Sequence, residues 1–256
     1  MVHFMKRSAM AAVLGLAAVA GPAEAGLVLS VEAPGVQAST VSGVTTETFN
    51  FNNTGNYTSL NTRVGTLTSP GLAIDAANQY GGAATATLTG GSNNYFAIGA
   101  ESGQTTASLA LNGPQSYFGF WWSAADPLNG VQLYSKGNLL ATLNTNVALA
   151  ALNSSYLGNP NSGADASEPF AYLNFTATGG TTFDQVVFNN ANLSTGVEAD
   201  NFSVLKSATG VSGTLINNGL TFAVPEPSSL ALATLGGAIG LGAARLRRRR
   251  RAGIAA

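Results

Sequence analysis

An all-β domain, a β-sandwich or jelly roll over residues 26–223, is the fold this 256-residue sequence predicts. Three observations predict it. Apolar and polar residues alternate in short runs, turn-forming clusters separate the runs about every ten residues, and nothing in the stretch carries a long helical period. A stretch of about 200 residues is ample for one sandwich core.

Taken in chain order, the first candidate strands are residues 83–89 and 95–98. Ala107, Leu109 and Leu111 then share one parity, as do Phe118, Phe120 and Trp122, and again Val131 and Leu133. Alternation with period two marks a half-buried strand, because successive side chains leave opposite faces. Further candidates cover residues 139–143, 170–176, 183–188, 200–205 and 220–224, and residues 145–157 could form a short helix. Between them lie Gly90-Gly91-Ser92, Asn112-Gly113-Pro114, Asn129-Gly130, Lys136-Gly137-Asn138 and Gly179-Gly180. Gly and Asn tolerate the positive φ of tight turns, which is why these clusters read as connections.

The two ends read as addresses. Residues 1–25 hold Lys6-Arg7, an apolar core over residues 8–20, and Ala23-Glu24-Ala25, which fits small-x-small cleavage by a signal peptidase. The mature chain would begin at Gly26. A retained N-terminal anchor would need about 20 apolar residues, more than this core supplies. At the other end, residues 224–251 open with Pro225-Glu226-Pro227, continue with an apolar Gly/Ala/Leu-rich segment at 228–244, and close with Arg245 and Arg247 to Arg251. Seventeen residues at about 1.5 Å each give roughly 26 Å, enough for one transmembrane helix across a thin bilayer. The arginines cannot cross, so they hold the C-terminus in the cytoplasm and leave the body outside.

Composition narrows the chemistry. Between Gly26 and Val224 the basic residues are Arg63, Lys136 and Lys206, against ten acids, an excess of seven negative charges. Nucleic acid is a poor partner for such a surface, since phosphate binding needs clustered cations. The chain has no cysteine, and its one histidine, His3, lies in the segment read as cleaved. Thiolate metal sites, His-liganded zinc and Ser-His-Asp hydrolysis are therefore unavailable to the mature body.

The C-terminal order of Pro-Glu-Pro, apolar span and basic cluster resembles the PEP-CTERM sorting signal of Gram-negative bacteria that make exopolysaccharide. The resemblance implies processing by an exosortase, a membrane protease that recognises Pro225, Glu226 and Pro227 and removes the span. This chain would be its substrate and not an enzyme itself: an inner-membrane intermediate, then a surface or extracellular-matrix protein with a structural or adhesive role in exopolysaccharide or biofilm. The segment Tyr117-Phe-Gly-Phe-Trp-Trp-Ser-Ala-Ala-Asp126, with the hairpin that follows it, is similar to a group of PEP-CTERM surface proteins and implies an extracellular β-sandwich.

Three constellations could carry chemistry. If Glu198-Ala199-Asp200-Asn201-Phe202 is extended, Glu198 and Asp200 share a parity with Phe202 and Val204. The segment resembles the closing strand of carbohydrate-binding jelly rolls that hold a structural Ca²⁺, and Glu47 is its natural acidic partner. Oxygen-only donors suit calcium; the other reading is a solvated acidic pair protecting a sheet edge. Trp121, with Tyr117 on the same parity, could form a platform for sugar rings in a calcium-dependent, lectin-like module, or could simply pack. Asp165 and Glu168 could be a glycosidase acid and base in a polysaccharide-modifying hydrolase, or two acids in a Gly/Ser-rich loop.

Overall fold

The computed structural model describes residues 26–83 and 93–223. The candidate signal segment, the candidate membrane span with its Pro-Glu-Pro and arginines, and most of the candidate strand at 83–89 with the following Gly-Gly-Ser turn lie outside the described residues. Among the described residues no helix is long and apolar enough to cross a membrane.

The strands are β1 (Gly26–Val31), β2 (Thr45–Glu47), β3 (Gly55–Asn61), β4 (Gly65–Asp75), β5 (Tyr95–Gly99), β6 (Thr106–Gln115) and β7 (Tyr117–Ser123). After them come β8 (Asn129–Ser135), β9 (Asn138–Leu143), helix α1 (Thr145–Ala151), β10 (Ala171–Thr178), β11 (Phe183–Asn190), β12 (Gly196–Leu205), β13 (Thr214–Leu215) and β14 (Leu220–Phe222). The fold is all-β. Hydrogen bonds run in the order β13-β1-β10-β7-β12-β5-β4-β6-β11-β8-β9-β14, with β2 beside β12 and β3 beside β4.

β4 bends this ribbon. Its residues 65–68 pair with β6 and its residues 73–75 with β5. Between them stands Pro70, which has no N–H to offer a ladder, so a strand is free to change partners there. The two halves face each other across aromatic side chains. Phe188 of β11 lies 5.5 Å from Phe120 of β7 and 5.2 Å from Phe202 of β12, centroid to centroid. Burying a phenylalanine of this kind contributes roughly 1.5–3 kcal/mol.

Apart from the candidate at 83–89, most of which lies outside the described residues, the strands that sequence periodicity locates are formed, with two differences of substance. First, β7 and most of β12 are buried on both faces. The outer face of β7 and β10 is covered by connecting segments, and Trp121, Ala124, Phe170, Tyr172 and Ala83 make a second, smaller apolar cluster there. Second, β12 carries a bulge: Asn201 adopts φ 50°, and the register against β7 slips between Asp200 and Ser203. Val197 and Ala199 face the main core before the bulge, Phe202 and Val204 after it. Glu198 and Asp200 therefore lie on the opposite face from Phe202, contrary to the unbroken alternation the sequence suggests, because one extra residue exchanges the faces.

Some turns also move. Asn112-Gly113-Pro114 forms a bulge within β6, where the partner of Ala110 is Gln185 and that of Gln115 is Phe183. Asn129-Gly130 opens β8 because the Asn129 side chain is engaged, accepting from Trp122 Nε1 at 2.7 Å and donating to the Gly196 carbonyl at 2.7 Å. Lys136 and Gly137, at φ 50° and 78°, do turn the β8–β9 hairpin. α1 is capped by Asn144 and stops at Ala151, short of the predicted span.

Candidate functional site

The outer face of the front layer gathers the carboxylates. β5 and β7 end, and β12 begins, at the same end of this layer, since β12 runs antiparallel to both. Glu198 stands opposite Ser123 of β7 and Ala97 of β5, so its side chain shares their outward face. The turn after β5 folds back through a hydrogen bond from Gly99 N to the Gln104 carbonyl and another from Ala100 N to the Thr195 carbonyl. That turn brings Glu101 onto Glu198. A Cβ placed on Gly196 would collide with Glu198 Oε1 and Glu101 Oε2. The two carboxyls thus meet over the bare Cα of a glycine. Burial, then the charge of Glu101 and the hydrogen bond to it, push Glu198 up to about 9.

Asp165 and Glu168 belong to a loop tied to the same end of the layer, with Ala125 N donating to the Pro169 carbonyl at 2.9 Å. The loop is better supported than its composition suggests: Gly158 N donates to the Glu168 carbonyl and Gly163 N to the Asn159 carbonyl. Burial, then the hydrogen bond and charge of Asp165, push Glu168 up to about 7. Carboxyls in hydrogen-bond contact leave no room for a glycosidic linkage, whose acid and base stand about 5 Å or more apart.

The other sequence-selected residues are placed differently from expectation. Glu47, Glu198 and Asp200 do not converge on one point, and no three acids among the described residues form a metal-holding group. Glu47 ties its own loop: Oε1 accepts from Thr48 N and Phe49 N at 3.0 and 2.8 Å, and Oε2 from Arg63 N at 2.9 Å. Asp200 accepts from Ala83 N at 2.8 Å and Asn201 N at 2.6 Å, anchoring a covering loop, and burial raises its carboxyl well above the usual range. The bulge at Asn201 explains the divergence, because it separates Asp200 from the face and register at which Phe202 meets Glu47.

Tyr117 and Trp121 are 0 % and 1 % exposed. A sugar platform needs a ring face open to solvent, so these two do not form one. Tyr117 Oη donates to Asn174 Oδ1 at 2.6 Å, and Trp121 packs 6.3 Å from Phe170. An aromatic that is open is Phe51, 63 % exposed, with the Arg63 guanidinium 5.5 Å above its ring. With Asn52, Asn61 and Thr62 it lines a shallow cleft of about 330 Å³.

Glu101 is the residue that sequence reasoning missed. It lies 97 positions from Glu198, and no local spacing joins them; only the antiparallel pairing of β5 with β12 does. Glu32 was missed for the same reason. It is a buried carboxylate accepting from Thr40 Oγ1, Asn174 Nδ2 and Ser212 Oγ at 2.9, 3.0 and 2.7 Å.

The described chain ends one residue beyond β14, and the family comparison begins there: the PEP-CTERM protein-sorting motif matches residues 223–250. The chain carries a PEP-CTERM sorting motif. The match covers the tail alone and contains Pro225, Glu226 and Pro227. A PEP-CTERM motif makes the chain an exported exosortase substrate, directed through the membrane toward the cell surface. No curated protein and no solved structure matches the chain.

Proposed function

We propose that the β-domain is a non-enzymatic surface or extracellular-matrix component with a structural or adhesive role in exopolysaccharide or biofilm. In this reading the signal at 1–25 is cleaved, the span at 228–244 holds the chain in the inner membrane for a time, and exosortase cuts at Pro225-Glu226-Pro227. The observation that carries it is the abutment of the sorting motif on the sheet. β14 ends at Phe222 and the motif starts at residue 223, so a cut at the motif would release the described domain with all its strands. The acidic body, with three basic residues against ten acids, favours a soluble, hydrated exterior over a nucleic-acid partner. Intact-mass measurement on protein from the host's envelope and medium tests the reading. The expected species starts at Gly26 and ends between Val224 and Pro227; a species retaining Arg245 to Arg251 would mean a permanent anchor and overturn it.

A second reading, a carbohydrate-binding module, draws support from Phe51 and its cleft rather than from Tyr117 and Trp121. A glycan array comparing the parent with Phe51→Ala tests it. Binding lost with that ring favours the module, and absence of binding by the parent removes it.

A further inference from the structure

At the end of the front layer where Glu101 meets Glu198, two carboxyls are brought together, and no Lys or Arg among the described residues acts on Glu198. Three features make this more than an acidic patch. Ser123, 0 % exposed and directly opposite Glu198 on the same face, has an Oγ without a hydrogen-bond partner among the described residues. Glu101 Oε2 is likewise buried, and the group it meets is the Glu198 carboxyl. The oxygens also occupy the space where a side chain at residue 196 would begin, and glycine stands there. A buried hydroxyl without a partner, on the same face as Glu198 and directly opposite it, is costly unless something accepts its lone pairs.

We propose that Glu101, Glu198 and Ser123 Oγ bind one divalent cation, calcium, at the junction of β5, β7 and β12. Two carboxylates balance a double positive charge. All donors are hard oxygens of mixed type, and calcium accepts six to eight such ligands in loose geometry, with water completing the shell. Magnesium demands a tighter octahedron, and softer metals prefer nitrogen or sulfur, which this site does not offer. Asp126 and Glu168 add negative potential from further out without touching the pair, since both act on Glu198 through charge alone. The cation would tie the turn after β5 to the start of β12. The site is independent of the sorting motif and of any role in the matrix.

The test is calcium titration of the full-length chain, stripped with EDTA, by calorimetry and by thermal unfolding. The expected result is one calcium per chain and a rise in Tm on saturation. In the double variant Glu101→Gln/Glu198→Gln both the heat and the Tm rise disappear, while its metal-free Tm stays near the parent's because the two amides can keep the hydrogen bond that the two carboxyls share. Ser123→Ala weakens binding about tenfold, and Asp165→Asn, outside the pair, leaves it unchanged. Should the double variant fail to fold, Glu101→Gln alone carries the comparison. No heat and no Tm rise in the parent would overturn the proposal. So would a calcium response kept by the glutamine variants, or one lost on Glu47→Gln instead.

Discussion

The two faces of the front layer are built on different physics, and β12 carries both. Inward, Val197, Ala199, Phe202 and Val204 enter an apolar core shared with the facing layer. Outward, Glu198 and Asp200 are equally removed from solvent, at 4 % and 0 % exposure, yet they are met by backbone amides and another carboxyl. The inner face gains stability from area and shape, which tolerate apolar exchange but not deletion. The outer face depends on individual hydrogen bonds, each worth little when made and more when one partner is lost.

That contrast can be broken or sharpened by substitution. The largest effect belongs inside: Phe202→Ala removes a ring within 5.1–5.7 Å of Phe49, Phe188 and Phe118 and is expected to cost about 3–5 kcal/mol in urea unfolding. A loss below about 1 kcal/mol would mean that the two layers do not pack on each other. Outside, Glu32→Ala abandons three side-chain donors on separate segments and should cost about 1.5–3 kcal/mol by the same measurement. The bulge separates the faces, so Asn201→Ala should cost about 1–2 kcal/mol and Asn201→Gly clearly less, because glycine adopts positive φ without penalty. Equal losses in the two variants would assign the effect to the Asn201 Nδ2 bond to the Gln37 carbonyl instead.

The smallest effect is one of pH. Burial raises the Tyr117 hydroxyl to about 12, from an ordinary value near 10. The folded state holds the proton more tightly than the unfolded chain, so this contribution is intact below pH 10 and is lost as pH rises from 10 through 12. Tyr117→Phe should lower stability at neutral pH by about 1 kcal/mol and flatten the alkaline limb of the stability curve. An unchanged limb would place the alkaline sensitivity on Tyr172, the other buried phenol of the pair, whose hydroxyl is raised further.

The sequence showed the inner face far better than the outer. Phe118, Phe120 and Trp122 announce their strand because a core selects every second residue for apolarity. Strands without that selection stayed hidden: β3, Gly-Asn-Tyr-Thr-Ser-Leu-Asn, has little to alternate, and β4 is interrupted by Pro70-Gly71 just where it changes partner. The bulge at Asn201 was equally silent, since an asparagine in a strand looks the same whether or not it inserts. It reversed the facing assigned to Glu198 and Asp200 relative to Phe202. Trp121 and Tyr117 misled in another way. Alternation says which side a ring leaves the sheet, and nothing about whether a loop then lies over it. The carboxylates of the outer face meet through β-pairing across long separations, as Glu101 and Glu198 do, and no spacing rule reaches that far. The tail is the opposite case, legible from order alone because its recognition is linear.

β14 has a consequence of a mechanical kind. It is three residues long, it ends the order of strands, and β9 is its ladder partner. Any load applied at the C-terminal end of the described domain is delivered first to those few bonds. The weakest link therefore sits at that end, and the aromatic core lies many strands away from it. Under tension this edge would peel before the aromatic core yields, baring the flank of β9 and leaving the rest of the domain standing.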